Sequence, residues 1–160
     1  NMQALWATAD PSSVPMIGEA RMLAGYPFRS LAESGADLAM GSDWPVSPAE
    51  PWLAIHVAVN RTIMMPDGTN PPPLDPSQSL TLTQALGAYT AGSSQLALGV
   101  PGRLRLGERA DLVVENVDPF ALPSAALASV RTAATIVGGE VVYQADREAL
   151  AGPGAQFHGF

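Results

Sequence analysis

The sequence predicts an α/β protein in which barrel-like βα units come first and a small β-module comes last. Three observations carry this reading. The apolar run of Asp37–Met40 stops at Gly41-Ser42 and is followed by Asp43-Trp44-Pro45-Val46. A strand that ends in one exposed acid is how an α/β barrel presents a catalytic group at its carboxyl-end rim. Up to residue 98, apolar side chains recur at helical spacing between turn clusters. Beyond Gly99 the texture changes to β-branched runs, with a two-residue Gly138-Gly139 turn between Val130–Val137 and Glu140–Tyr143.

The elements follow in order. Asn1–Thr8 is an apolar stretch closed by the turn cluster Asp10-Pro11-Ser12-Ser13. It reads as a strand interrupted part way, inside a longer protein. Pro15–Gly25 suits a weak helix and Pro27–Ser34 a better one, with Phe28, Leu31 and Ala32 on one face and Gly35 as its stop. Asp37–Met40 is the short strand. Trp52, Ile55, His56 and Val59 share one helical face, so Pro51–Ile63 is expected to be a helix with proline in its first turn. The proline-rich stretch 66–76 admits no regular structure. Thr81-Leu82-Thr83-Gln84 is a capping box. A helix then runs through Ala85, Leu86 and Tyr89, breaks near Gly92, and resumes over Ser93–Leu98. Leu104–Leu106 and Ala110–Glu115 read as β-structure, Ala121–Ala128 as a loop or short helix, and the glycine-rich end as a loosely held tail.

Composition narrows the function classes. The chain has 160 residues, 47% hydrophobic and 14% charged, with a net charge of −7. So few charges suggest that much of the segment is buried against something larger. The acidic balance leaves no basic stripe for phosphates and excludes nucleic acid. No cysteine is present, so disulfides and thiolate metal sites are excluded. No apolar run reaches the roughly 18 residues of a membrane span. The first residues carry no basic or apolar leader pattern, and the cytoplasm is the expected location.

Three segments together resemble the metal-dependent amidohydrolase superfamily, in its amidohydrolase-3 branch, which includes formamide deformylase-like enzymes. They are Gly41–Val46, the phrase Gly102–Val114 with its Ala110-Asp111-Leu112-Val113-Val114 core, and the closing hairpin Thr135–Tyr143. The resemblance implies the C-terminal part of a (β/α)8 TIM-like barrel over residues 1–99, with Asn1–Trp6 and Asp37–Met40 as strands seven and eight. It implies the C-terminal half of a small β-sandwich over 100–145, and a tail over 146–160. In that family the Asp43 position is a metal ligand and the general base. The implied cofactor is a divalent metal, zinc, as one or two ions whose other ligands lie outside this chain.

The residue types agree with that chemistry. Metal-assisted hydrolysis needs a hard anionic ligand that can also accept a proton from an activated water. Asp43 is the one candidate for both roles; its structural alternative is a helix cap or turn former. Trp6 and Trp44 would wall an apolar substrate pocket, or else pack in the core. Arg29 matches a recurrent family arginine and would bind an acidic group at the rim, its alternative being a helix-surface or buried structural role. The two histidines, His56 and His158, make no His-x-His pair. His56 is expected to be packed in a helix and His158 to lie in the tail. One carboxylate cannot satisfy zinc, which takes about four ligands, so this segment alone is expected to be metal-free and inactive. The implied reaction is hydrolysis of a C–N bond in an amide, formamide or related group. The partners implied are a small-molecule substrate, the remainder of the same protein, and a second copy in a homo-oligomer. One rival reading is a non-catalytic binding or structural domain on the same scaffold. Another is a glycosidase, which would need a second carboxylate within about 5–9.5 Å.

Overall fold

The computed structural model describes residues 1–65, 69–100 and 102–146. His158, the expected tail beyond residue 146 and part of the proline-rich stretch lie outside these residues.

The two expected barrel strands are reduced to one parallel bridge, Met2 with Met40. Met2 N donates to Ala39 O (2.8 Å) and Gly41 N to Met2 O (3.0 Å). After Met2 the chain turns at once into a 3-10 turn, Ala4–Trp6. The pairing is parallel, as adjacent barrel strands require, but too short to count as a strand. A strand extends only as far as a neighbour pairs with it, and here the pairing stops at Met2 and Met40.

Between these segments the chain forms α1 (Val14–Ile17), α2 (Glu19–Leu23) and α3 (Phe28–Glu33). The weak helix expected over Pro15–Gly25 is split at Gly18, whose φ of +82° breaks the helical path. α3 ends where Gly35 takes φ +83°.

The centre of the molecule is α4 (Pro51–Asn60). The Glu50 side chain caps it by accepting from Trp52 N, and Pro51 opens it. All residues from Trp52 to Ala58 are buried. A helix apolar on every face must be covered on every face. Its cover is the Ala4–Trp6 turn, the following helix α5 (Leu82–Gly87), and a 3-10 stretch at Ser124–Ser129. α4 stops earlier than the expected Ile63, because Arg61 adopts a left-handed conformation (φ +58°) and ends it.

α5 carries the expected capping box. Thr81 Oγ1 accepts from Gln84 N (3.2 Å) and Gln84 Oε1 accepts from Thr81 N (2.9 Å). The helical path continues as a π-helix over Ala88–Gly92 and then as α6 (Ser93–Leu98). The C-terminal module is a three-stranded antiparallel sheet in the order β1 (Leu112–Glu115), β2 (Thr132–Val137), β3 (Glu140–Gln144). Leu112 faces Ile136 and Thr135 faces Tyr143. Both turn glycines have positive φ, +59° and +88°, as a tight two-residue hairpin demands. Asp111 braces that turn, its Oδ1 accepting from Gly138 N at 2.7 Å. Leu104–Leu106, expected as β-structure, is not a strand. Leu104 and Leu106 are almost fully exposed, and Arg103 instead closes a turn by pairing with Glu108.

Candidate functional site

The strand end at Met40 is held from behind by the π-helix. Met40 N donates to Ala88 O (3.0 Å) and to Ser93 Oγ (3.2 Å). Ser93 Oγ shares its one proton between Met40 O (2.6 Å) and Ala88 O (2.8 Å). The backbones approach closely because residue 92 is glycine. A Cβ there would stand 1.9 Å from Leu38 O. π-helical turns concentrate at functional sites, and here one fixes the strand that leads to Asp43.

Beyond Met40, Gly41-Ser42 release the chain and Asp43 turns it. Asp43 sits in the left-handed region (φ +58°), which aspartate tolerates better than most residues. Its carbonyl accepts from Val46 N (2.8 Å) and Ser47 N (3.4 Å), and Ser42 Oγ accepts from Trp44 N (3.2 Å). The backbone at Asp43 is thereby fixed while its side chain is exposed. The carboxylate has no hydrogen-bond donor among the described residues, which suits an acid that works on something brought to it.

A cavity of about 650 Å³ lies beside this turn. Leu5, Trp6 and Thr8, which follow Met2, line it together with Ser47, which follows the Asp43 turn. So both segments that leave the carboxyl ends of the parallel pair contribute to it, the place where open and closed α/β sheets hold ligands. Trp6 is on its wall and Trp44 is 70% exposed. Asp43, Trp44 and Arg29 are not among the lining residues. Arg29 lies on the exposed face of α3, with its Nε donating to Glu33 Oε1 at 2.9 Å.

His56 is buried on α4, where its Nδ1 lies 3.2 Å from the Asn60 amide nitrogen. The same amide donates to Ser124 O (2.9 Å), tying the helix to the C-terminal module. Burial, against a smaller opposing effect of Ser124, holds the His56 pKa below its usual value, and the ring is packed inside the helix's cover. Among the described residues no group of three or more His, Cys, Asp or Glu could hold a metal ion. Asp43 therefore fits one ligand position, and the described residues do not build a metal centre by themselves.

The wall of this cavity, which the sequence did not reveal, is braced by Arg61, which is fully buried. Its Nε donates to Leu74 O (2.8 Å) and its Nη2 to Gly25 O (3.4 Å), and both carbonyl-bearing residues line the cavity. Its guanidinium lies 5.2 Å over the Phe28 ring. Phe28 in turn meets Tyr26 edge-on, with centroids 6.0 Å apart. Tyr26 lines the cavity at φ +57°, a conformation that costs a non-glycine residue about 1–2 kcal/mol. No local signal in Asn60-Arg61-Thr62 distinguishes this arginine from a surface one.

One family model matches most of the chain. The model of the amidohydrolase family (Amidohydro_3) matches residues 1–143. Putative amidohydrolase YtcJ of Bacillus subtilis (strain 168) is 31% identical over 136 residues, covering 84% of this chain and 25% of that protein. N-substituted formamide deformylase of Arthrobacter pascens is 28% identical over 121 residues, covering 74% and 21%. A crystal structure of an uncharacterized metal-dependent hydrolase from Pyrococcus furiosus aligns with a TM-score of 0.49 and 35% identity, over 61% of this chain and 19% of that one. The chain thus spans about a quarter of the length of the curated relatives it matches. By the match over residues 1–143, this chain belongs to the amidohydrolase family.

Proposed function

We propose that this chain is the part of a metal-dependent hydrolase that ends its (β/α)8 barrel and supplies half of a β-sandwich, and that the whole protein cleaves a C–N bond in an amide or formamide. The observation that carries the proposal is the position of Asp43. In a chain of the amidohydrolase family, it stands three residues beyond a parallel bridge, its backbone fixed and its carboxylate exposed. A divalent metal, zinc on this reading, would supply Lewis acidity and an acidified water, held by Asp43 and by ligands outside this chain. Asp43 accepts the proton of the attacking water and returns it to the leaving nitrogen. The π-helix and Ser93 keep the strand end, and so that carboxylate, in place. Trp44 and Trp6 offer apolar surface to the substrate, and Arg29 is kept as a candidate for an acidic group. The exposed Val113, Val141 and Val142 of the sheet support a further partner, the rest of the same protein. The protein works in the cytoplasm on this reading, with a small molecule as its substrate.

The test is Asp43→Asn in the full-length protein, assayed against a panel of N-substituted formamides and amides, with metal content measured alongside. We expect kcat to fall by roughly 10²–10⁴-fold with KM little changed. Activity within about threefold of the parent, with metal retained, would refute the general-base role.

A further inference from the structure

We propose that the cavity beside the Asp43 turn binds the carboxylate-bearing end of a small apolar molecule, with Arg21 as its counter-ion. This names a substrate class for the hydrolysis proposed above and rests on that reading.

The size suits a small organic ligand, since about 650 Å³ falls within the usual range of roughly 300–1,000 Å³. The wall is apolar over Leu5, Trp6, Ile17, Met22, Tyr26 and Leu74. Among the described residues, two charged ones line it, Asp10 and Arg21. They are not equivalent. Asp10 is engaged in its own turn: Oδ1 accepts from Ser12 N (2.9 Å) and Ser12 Oγ (2.6 Å), and Oδ2 accepts from Ser13 Oγ. Arg21 has no hydrogen bond or ion pair among the described residues. Arg29, Arg103 and Arg109 each pair with an acid close in sequence, Glu33, Glu108 and Asp111. The cavity thus holds a guanidinium fork with its donors uncommitted, and a guanidinium matches a carboxylate with two parallel hydrogen bonds.

The wall is also built to stay open. The buried cation Arg61 ties two lining segments together through Gly25 O and Leu74 O. It also stacks on Phe28, against which the strained Tyr26 packs. A surface that holds its shape before the ligand arrives loses less freedom on binding.

The experiment is a ligand-observed NMR titration of the purified protein at neutral pH with three matched probes: 4-phenylbutyrate, 4-phenylbutanamide and 4-phenylbutylammonium. The carboxylate should bind about fivefold more tightly than the amide, the size expected of a partly exposed ion pair. Arg21→Gln should erase that preference, Arg21→Lys should keep only part of it, because an ammonium supplies the charge but not the paired donors, and Trp6→Ala should weaken all three probes alike. Equal binding of carboxylate and amide would overturn the proposal. So would tightest binding of the ammonium, which would assign the cavity to Asp10, or a carboxylate preference that survives Arg21→Gln. Asp43→Asn separates the two readings. A lost preference with Asp43-dependent hydrolysis sinks only the carboxylate site, and an Arg21-dependent preference with Asp43-independent hydrolysis sinks only the catalytic assignment.

Discussion

Replacing Gly92 with alanine sets two effects against each other. Intrinsic helix propensity favours alanine by about 1 kcal/mol. The structure opposes it, because the new Cβ would lie 1.9 Å from Leu38 O and 2.9 Å from Leu38 C, and contacts under 3.0 Å do not persist. The π-helix must then retreat by about 3.0 − 1.9 = 1.1 Å from a neighbour that is backbone and cannot rotate away. That displacement stretches the 3.0 Å bond from Met40 N to Ala88 O and the 2.6 Å bond from Ser93 Oγ to Met40 O beyond useful length. Each lost bond at a buried residue costs about 1–3 kcal/mol when its groups stay unpaired. The net expectation is a loss of about 1–5 kcal/mol, after alanine's own gain. Urea unfolding reads it directly. With a slope of about 2 kcal/mol/M for a chain of this size, the midpoint should fall by roughly 0.5–2.5 M. A midpoint equal to or above the parent's would refute the close approach of residue 92 to the strand.

Two further outcomes follow from the buried polar groups. Arg61→Met keeps an unbranched apolar stem but removes the donors to Leu74 O and Gly25 O and the stacking on Phe28, and should lower stability by about 2–4 kcal/mol; a stability from urea unfolding within about 0.5 kcal/mol of the parent would show that Arg61 holds nothing. Burial, chiefly, and the charge of Glu50 raise the Glu115 pKa above its ordinary 4.5, although Trp52 and Thr132 act the other way. The folded state therefore keeps this proton to higher pH than the unfolded state. Stability from this group is full below the ordinary value and is lost as pH rises through the raised one. Glu115→Gln should flatten that decline in urea midpoints measured between about pH 4 and pH 7, and an unchanged slope would discard the burial argument.

Local chemistry was readable ahead of the structure. Thr81 and Gln84 close their box within one turn, and Gly138-Gly139 need only their own backbone freedom to make the hairpin. The helix at Pro51 was readable because Trp52, Ile55 and His56 share a face, but its burial on every side was not, since that depends on segments far away in sequence. The same limit explains the strands. Asp37–Met40 carries the right pattern, but a ladder forms only as far as a partner supplies it, and Met2 alone does so. Arg103-Leu104-Arg105-Leu106 alternates like a strand, but Arg103 and Glu108 satisfy each other across a turn instead. The site was half readable. Gly41-Ser42 and Pro45 marked a turn at Asp43, whereas the cavity depends on Arg61 reaching Gly25 and Leu74 across 36 and 13 residues of chain.

The complete enclosure of α4 has a kinetic consequence. Amide protons on a half-exposed helix escape by local fraying, but those of Trp52–Ala58 can meet water only after the covering segments separate. Those covers come from residues near 5, 85 and 127, so no single stretch of chain can peel away and leave the others in place. The slowest-exchanging amides of the chain should therefore cluster in this one helix and report a single opening event. The Asp43 turn, a few residues upstream of it, shares that helix's slow clock on one side and free solvent on the other.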